Sequence, residues 1–225
     1  MVPLCILFAH HNNDAVTRHH LDLLRANNPY PVIPLCNSAV EHVEDAVDVS
    51  KFSNRFAAED RWQSSDVMIY LWFRHHRTVE AERYAYVEWD ALATQPLRDY
   101  YDELWDADVA APRIKTPQTS PQWEWFGWHG ARLPERLRPF AAGIAPLNGV
   151  LLSRRALQAV ADSPLPKNVF SELRLGSLLR SNGIALTPFS QQKARNNDWH
   201  PNLISVSNEP GFYHPVKSLQ PAAAH

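Results

Sequence analysis

Short apolar runs without alternating polar residues constrain the fold of this 225-residue chain more than any other feature. Residues 4–9 read Leu-Cys-Ile-Leu-Phe-Ala, and residues 67–73 read Val-Met-Ile-Tyr-Leu-Trp-Phe. A strand that is covered on both faces is apolar at every position, whereas a strand with one solvated face alternates. Both runs are therefore predicted to be interior strands of a sheet with helices on its two sides.

Further strands are separated by helical patterns. Strands are predicted over 31–37, 84–87, 148–153 and 184–186, and helices over 15–27, 55–64, 92–104, 154–161 and 170–181. Residues 112–142 and the tail from residue 190 have no such pattern and are predicted to be loops. The alternation predicts an α/β fold with a mixed, mostly parallel sheet flanked by helices. The length fits a single domain over residues 1–225.

Composition and cysteine placement argue against several classes of partner. The formal net charge is −2, so no basic field attracts nucleic acid or an anionic membrane. Cys5 and Cys36 lie in apolar runs and are predicted to be buried thiols. The first apolar stretch has no basic flank and is too short to span a bilayer. We therefore expect no transmembrane segment and a cytoplasmic location.

Two acidic residues follow the predicted strand 84–87, in the sequence Glu88-Trp89-Asp90. Side chains two residues apart on a strand share a face, so both carboxylates can face one cation. Such oxygens suit Mg²⁺ or Mn²⁺, and a diphosphate can complete the coordination sphere. The polar turn His10–Asp14 also follows a predicted strand, and ligands of parallel sheets bind beyond the carboxyl ends of strands.

The order of these elements resembles the GT-A family of nucleotide-sugar glycosyltransferases over most of the chain. That family has an Asp-x-Asp motif at the end of a central strand, and Glu88-Trp89-Asp90 stands in its place. It also has a glycine-bearing strand before a helix, which residues 148–155 match with Asn148 and Gly149. Glutamate in place of the first aspartate keeps the charge on a longer arm.

Two later features continue the resemblance. The family places an acidic pair at the start of a helix, where the second member often serves as the catalytic base of inverting enzymes. Glu172 matches that second member, whereas Ser171 departs from the pattern. The family often supplies a metal-binding histidine near its C-terminus, and His214 matches it.

The resemblance implies a metal-dependent glycosyltransferase of the hexosyltransferase type. It would move a sugar from a nucleotide-sugar donor to a hydroxyl of a carbohydrate or glycoconjugate acceptor. Asp90 and His214, supported by Glu88, would hold Mn²⁺ or Mg²⁺. Residues 1–90 would form the nucleotide-binding half, and residues 91–225 the acceptor-binding half with a C-terminal tail.

The resemblance also implies binding residues for both substrates. The donor is expected to contact His10, Asn12, Asn13, Asp60, Arg61, Trp89, Asn148 and Gly149. The acceptor is expected at Glu172 and at two tryptophans of the aromatic segment 123–129, Trp125 and Trp128, because aromatic faces stack on the apolar faces of sugars.

Other interpretations remain open from the sequence. The turn after the first strand can be a solvated helix cap, the tryptophans can fix a loop to the core, and Glu172 can stabilise a helix N-terminus. A nucleotidyltransferase is a second candidate, although His10–Asp14 has no glycine, lysine or arginine to hold phosphates. A non-catalytic sugar- or nucleotide-binding relative is a third. The histidine doublets lack the spacing of a helical zinc pair.

Overall fold

The computed structural model describes residues 1–37, 42–52, 64–200, 206–207 and 209–219. Its strands are β1 (Val2–His10), β2 (Val32–Cys36), β3 (Val47–Asp48), β4 (Ala81–Glu88), β5 (Leu92–Ala93), β6 (Val109–Ala111), β7 (Ile114–Lys115), β8 (Gly143–Ile144), β9 (Val150–Ser153), β10 (Leu186–Pro188) and β11 (Phe212–Tyr213).

Seven of these strands form one sheet in the order β10-β6-β9-β4-β1-β2-β3. All neighbouring strands are parallel except β9, which runs antiparallel to both β4 and β6. The predicted mixed, mostly parallel sheet is therefore confirmed. Two small antiparallel pairs, β5 with β11 and β7 with β8, lie outside it.

Helices cover both faces of the sheet. They are α1 (Ala15–Asn27), α2 (Ser65–His75), α3 (Leu97–Tyr100), α4 (Glu124–His129), α5 (Arg154–Asp162), α6 (Ser171–Ser181) and α7 (Gln191–Ala194), with 3₁₀ turns at Val49–Phe52, Asp102–Leu104, Gly130–Arg132 and Glu135–Phe140. Among the described residues, none of these helices has the length and apolar character needed to cross a membrane.

Strand β1 shows how the sheet divides the interior. Leu4, Ile6 and Phe8 pack in one core with α1 and α3, whereas Cys5 and Leu7 pack in the other with α2, α5 and α6. A strand that is buried on both faces cannot alternate with polar residues, which explains its unbroken apolar run. Both cysteines are buried thiols, as predicted.

The prediction of a strand over 67–73 is wrong, because these residues lie within α2. Every residue from 67 to 73 is buried, and a helix that is apolar all round has the same run of apolar residues as an interior strand. Asp66 in its first turn and Arg74 in its last complement the helix dipole, a charge order that favours the helix.

Other predicted elements differ less. The helix over 15–27 and those near 154–161 and 170–181 are confirmed. The prediction of a helix over 92–104 is wrong, since this segment forms β5, the one-turn α3 and a 3₁₀ turn. The two predicted loops contain short elements: α4 and 3₁₀ turns within 112–142, and α7 and β11 after residue 190. Most of the predicted helix 55–64 lies outside the described residues.

A buried ion pair joins the first turns of α2 and α6. The guanidinium of Arg174 binds both carboxylate oxygens of Asp66, and both side chains are fully buried. Arg174 also donates to the carbonyl of Val169 at 2.7 Å, and Tyr70 donates to Asp66 at 2.8 Å. The pair brings the starts of the two helices together, with the Ser65 and Ser171 hydroxyl oxygens 3.4 Å apart.

Arg174→Met is expected to lower the free energy of unfolding by about 3–5 kcal/mol, because it leaves the Asp66 carboxylate buried without its charge partner. Urea unfolding followed by circular dichroism measures this loss. Arg195→Met is the control, since Arg195 and Glu209 form an exposed pair whose removal costs about 1 kcal/mol or less. Equal losses in the two variants would contradict the role given to the buried pair.

Candidate active site

Two carboxylates and an imidazole converge where β4 ends. One ligand atom from each of Glu88, Asp90 and His214 lies within 4.8 Å of the others. His214 Nε2 is 3.4 Å from Asp90 Oδ1 and 3.9 Å from Glu88 Oε2. These are the three residues that the sequence resemblance implied as metal ligands, and the structure brings them together. Carboxylate oxygens and an imidazole nitrogen form a donor set that fits Mn²⁺.

Glu88 is held from two sides. Tyr86, two residues earlier on the same face of β4, donates its hydroxyl to Glu88 Oε1 at 3.0 Å. The Glu88 backbone N–H donates to Asn148 Oδ1, also at 3.0 Å. The structure therefore fixes the Glu88 side chain through Tyr86 of β4 and the Glu88 backbone through Asn148, which precedes β9.

The turn before β9 requires glycine. Gly149 has φ +78°, and a Cβ there would lie 2.8 Å from Asn197 Nδ2. That same amide nitrogen donates to the carbonyl of Asn148 at 2.9 Å. Asn148 and Gly149, predicted to bind the donor, thus support the backbone around Glu88 and do not line the cavity described below.

Backbone hydrogen bonds fix Asp90 and His214 relative to each other. The Val216 N–H donates to the Asp90 carbonyl at 2.7 Å, and His214 exchanges backbone bonds with Asn196 and Asp198. On the other side, His20 Nδ1 donates to the Trp89 carbonyl at 2.9 Å. The three ligands therefore come from segments that other contacts already hold in place.

The electrostatics of the cluster favour a bound cation. Burial and the charge of Asp90 raise the pKa of Glu88. Burial also acts to raise the pKa of Asp90, but the hydrogen bond and charge of His214, with Lys217, outweigh it and lower that pKa. Two carboxylates that repel each other in a partly dry site are stabilised by positive charge between them.

A cavity of about 500 Å³ opens beside the cluster, and Glu172 lies in its wall. Glu172 Oε1 accepts from the Leu147 N–H at 3.0 Å, whereas its buried Oε2 has no hydrogen-bond partner among the described residues. Burial, then the charge of Glu88, raises the pKa of Glu172 well above its usual range. The first turn of α6 thus presents a basic carboxylate in the same cavity as the cluster.

The residues predicted after β1 divide into two groups. His10 lines the cavity, together with Trp89 from the acidic motif. Asn12 and Asn13 do not: the Asn12 amide oxygen accepts from Thr17, and the Asn13 amide donates to the His42 carbonyl at 3.0 Å. Asp14 caps α1 through the Thr17 N–H, as the open interpretation of this turn allowed. Asp60 and Arg61 lie outside the described residues.

Neither of the two predicted acceptor tryptophans lines the cavity. Trp125 is only 7% exposed and stacks on Phe170 with ring centroids 4.0 Å apart. Trp128 is 62% exposed and meets Trp125 edge-on. The aromatic residues of this region that do line the cavity are Phe170 and Trp199. Acceptor binding at Trp125 and Trp128 stays a prediction.

Several residues of the cavity wall were not predicted from the sequence: Asn37, Ser65, Tyr86, Phe170, Trp199 and Lys217. Asn37 directly follows β2, so the rule that ligands bind at carboxyl ends of parallel strands could have found it. Tyr86 could have been predicted from its spacing, because it lies two residues before Glu88 and so shares its face of the strand. Ser65 and Phe170 flank the starts of helices, and one of these helices was predicted as a strand.

No protein-family model and no curated protein matches the sequence. Solved structures do. An active-site mutant of the galactosyltransferase LgtC is 13% identical, with 93% of this chain and 86% of that chain covered and a TM-score of 0.49. Mouse xyloside xylosyltransferase 1 in its apo form is 14% identical over 95% and 96%, with a TM-score of 0.41.

The mannosyltransferase PcManGT from Pyrobaculum calidifontis, in complex with GDP-Man and Mn²⁺, is also similar. It is 14% identical, with 84% of this chain and 55% of that chain covered and a TM-score of 0.46. All three proteins are glycosyltransferases, the class that the sequence resemblance names. With TM-scores below 0.5, the function has to be derived from the site itself.

Glu172→Gln is expected to change how stability depends on pH in metal-free protein. A folded-state pKa above the ordinary 4.5 stabilises the fold below that pH, and this contribution is lost as the pH rises through the raised pKa. The neutral glutamine avoids this loss. The unfolding free energy of Glu172→Gln, relative to that of wild type, should therefore increase from acidic to alkaline pH. Urea unfolding at several pH values measures this difference.

Exposed Glu135 provides the control for this measurement. Glu135→Gln removes a carboxylate of the same length from the surface, so its stability relative to wild type should stay constant with pH. A Glu172→Gln difference that is equally constant would contradict a buried carboxyl with a raised pKa.

Proposed function

We propose that this protein is a glycosyltransferase that uses a divalent cation to move a sugar from a nucleoside-diphosphate sugar to an acceptor hydroxyl. The observation that carries the proposal is the cluster of Glu88, Asp90 and His214 beside the unpartnered carboxylate oxygen of Glu172, all within the wall of one cavity. A cation site and a base at the same cavity are the two groups that such a transfer needs.

The charge of the cavity favours metal-dependent donor binding. Its described wall has three carboxylates, from Glu88, Asp90 and Glu172, and one lysine, Lys217. The Lys217 Nζ is 3.8 Å from Asp90 Oδ2 and its side chain is 57% exposed, so it offsets only part of this charge. A diphosphate would be repelled by such a surface unless a cation lay between. We therefore expect nucleotide affinity to depend on Mn²⁺ or Mg²⁺.

Glu88, Asp90 and His214 would hold the cation. When bound, it would stabilise the negative charge that develops on the leaving diphosphate. Tyr86 holds the Glu88 carboxylate and Asn148 holds the Glu88 backbone, and such supporting hydrogen bonds raise metal affinity in proteins.

Glu172 would act as the general base. Its Oε2 would take the proton of the acceptor hydroxyl while the hydroxyl oxygen bonds to the anomeric carbon and the bond to the diphosphate breaks. Burial makes this carboxylate a strong base, and neutralising the charge of Glu88 favours its ionised form. The Leu147 N–H holds Oε1, which leaves Oε2 for the substrate.

The two halves of the chain would divide the substrates. His10 and Trp89, from residues 1–90, line the cavity where a nucleotide beyond the ends of β1 and β4 would lie. Glu172 and the aromatic residues near it come from residues 91–225 and would meet the acceptor. A hexosyl donor and a carbohydrate or glycoconjugate acceptor follow from the sequence resemblance.

Asp90→Asn is expected to abolish metal-dependent nucleotide binding. Wild-type protein saturated with the matching nucleoside diphosphate and Mn²⁺ at ~100 times the dissociation constant should gain ~2.7 kcal/mol, a melting shift of several degrees. A thermal-shift screen of UDP, GDP, ADP and CDP, with and without Mn²⁺, identifies the base. Asp106→Asn is the control, since Asp106 does not line the cavity.

The proposal predicts that wild type and Asp106→Asn show the melting shift only when both Mn²⁺ and the nucleotide are present. Asp90→Asn should show no such shift. A shift of equal size without Mn²⁺, or in Asp90→Asn, would contradict the assigned metal site. No shift for any nucleotide in folded wild-type protein would contradict the proposed function.

Glu172→Gln should lower kcat for sugar transfer about 10²–10⁴-fold, because the amide cannot accept the hydroxyl proton. Chromatography of the released nucleoside diphosphate measures the rate, with the nucleotide identified by the screen. The Mn²⁺-dependent melting shift should persist in this variant and shows that the cavity is intact. A kcat within about threefold of wild type would remove Glu172 from the role of base.

A further inference from the structure

We propose that one surface of the protein docks on an anionic lipid bilayer. This basic–aromatic surface consists of residues 128–140, the loop 163–168 and the last turn of α6. It combines basic side chains that have no carboxylate partner with exposed apolar side chains, and the interface of a bilayer satisfies both. The inference goes beyond the proposed function, because binding to lipid needs neither a cation nor a nucleotide.

Hydrogen bonds from side chains to the backbone join the three segments into one surface. Arg132 and Arg136 each donate at 3.5 Å to a carbonyl of the loop 163–168. Arg180, in the last turn of α6, donates to the Ala141 carbonyl at 3.1 Å. Segments that are far apart in the sequence therefore lie side by side.

Positive charge is in excess on this surface. Glu135 lies within the segments and Asp162 directly beside them, and the Asp162 carboxylate already accepts from the Gln158 amide. Against these two carboxylates stand five cations, none of which forms an ion pair among the described residues: Arg132, Arg136, Arg138, Lys167 and Arg180.

This local excess is not visible in the net charge of −2, from which the sequence predicts no attraction to an anionic membrane. Salt screens charges beyond a Debye length of about 8–10 Å, so a surface responds to the charges that lie on it. The four arginines donate to backbone carbonyls, which leaves their positive charge unneutralised. Guanidinium groups of this kind bind the phosphates of lipid headgroups.

The exposed apolar side chains favour a bilayer over a soluble anion. Trp128 is 62% exposed and Phe140 is 39% exposed, and the smaller Ala131 and Pro139 are exposed beside them. Basic side chains alone would suffice for a soluble anion, and aromatic rings could stack on nucleic-acid bases. Ala131 and Pro139 gain from neither. The boundary between headgroups and acyl chains covers all four residues.

The basic–aromatic surface borders the cavity. Trp128 meets Trp125 edge-on with ring centroids 5.3 Å apart, and Trp125 stacks on Phe170 at 4.0 Å. Phe170 lines the cavity wall. A protein docked through this surface would therefore hold its cavity beside the bilayer.

Vesicle sedimentation tests the surface with pure lipids. The protein is mixed with vesicles of phosphatidylcholine alone, or of phosphatidylcholine with phosphatidylglycerol, and the bound fraction is measured against lipid concentration. Wild type should bind the anionic vesicles at least about tenfold more tightly, because each cation near an anionic surface adds to the attraction. NaCl at about 1 M shortens the Debye length to about 3 Å and should remove most of this difference.

The double variant Arg132→Gln/Arg136→Gln should bind anionic vesicles about tenfold more weakly than wild type. The control is Arg18→Gln/Arg25→Gln, which removes the same charge from exposed positions of α1. Since α1 packs on the opposite face of the sheet from α6, the control should bind like wild type.

Two single variants test the apolar part of the surface. Trp128→Ala should weaken vesicle binding about three- to tenfold, because it removes a ring that the bilayer interface would cover. Leu219→Ala shortens an exposed apolar side chain outside the surface and should have no effect. Circular dichroism of each variant shows whether the protein is still folded.

Equal binding of wild type to neutral and anionic vesicles would overturn the proposal, and so would an equal loss in the two double variants. Binding to a single-stranded RNA oligonucleotide without binding to vesicles would also overturn it, and would assign the surface to nucleic acid. These outcomes leave the proposed sugar transfer untouched, because the nucleotide screen tests that function separately.

Discussion

The carboxylates of Glu88 and Asp90 lie close together, and His214 and a partly exposed Lys217 offset part of their charge. Burial, and then the charge of Asp90, raises the pKa of Glu88. The Tyr86 hydroxyl nevertheless holds the Glu88 carboxylate, and the Asn148 side chain holds the Glu88 backbone N–H. Such a cluster could hold a cation, and the proposed chemistry depends on that feature.

Two features of the fold bring this cluster close to Glu172. Because β1 and β4 are parallel neighbours, both end at the same edge of the sheet. The buried pair of Asp66 and Arg174 joins the starts of α2 and α6, and the first turn of α6 carries Glu172 into the cavity. These contacts set the distance between the cluster and Glu172.

Much of this could be predicted from the sequence, because strand ends are marked by a change from apolar to polar residues. Glu88, Asp90 and His10 were found in this way, and the resemblance added Glu172 and His214. The prediction of a strand over 67–73 was wrong because a completely buried segment is apolar at every position, so its sequence does not distinguish helix periodicity from strand periodicity. Trp199 was missed because a loop residue has no periodicity, and its place depends on the hydrogen bond between its neighbour Asp198 and His214, which lies in a later segment of the chain.

Anomalous diffraction at the manganese edge tests the central claim most directly, on crystals grown with Mn²⁺ and the nucleoside diphosphate identified by the melting screen. The account predicts one manganese peak among Glu88, Asp90 and His214, at about 2.0–2.4 Å from its protein ligands, and in contact with the diphosphate. Nucleotide in the cavity with no manganese among these three residues would contradict it.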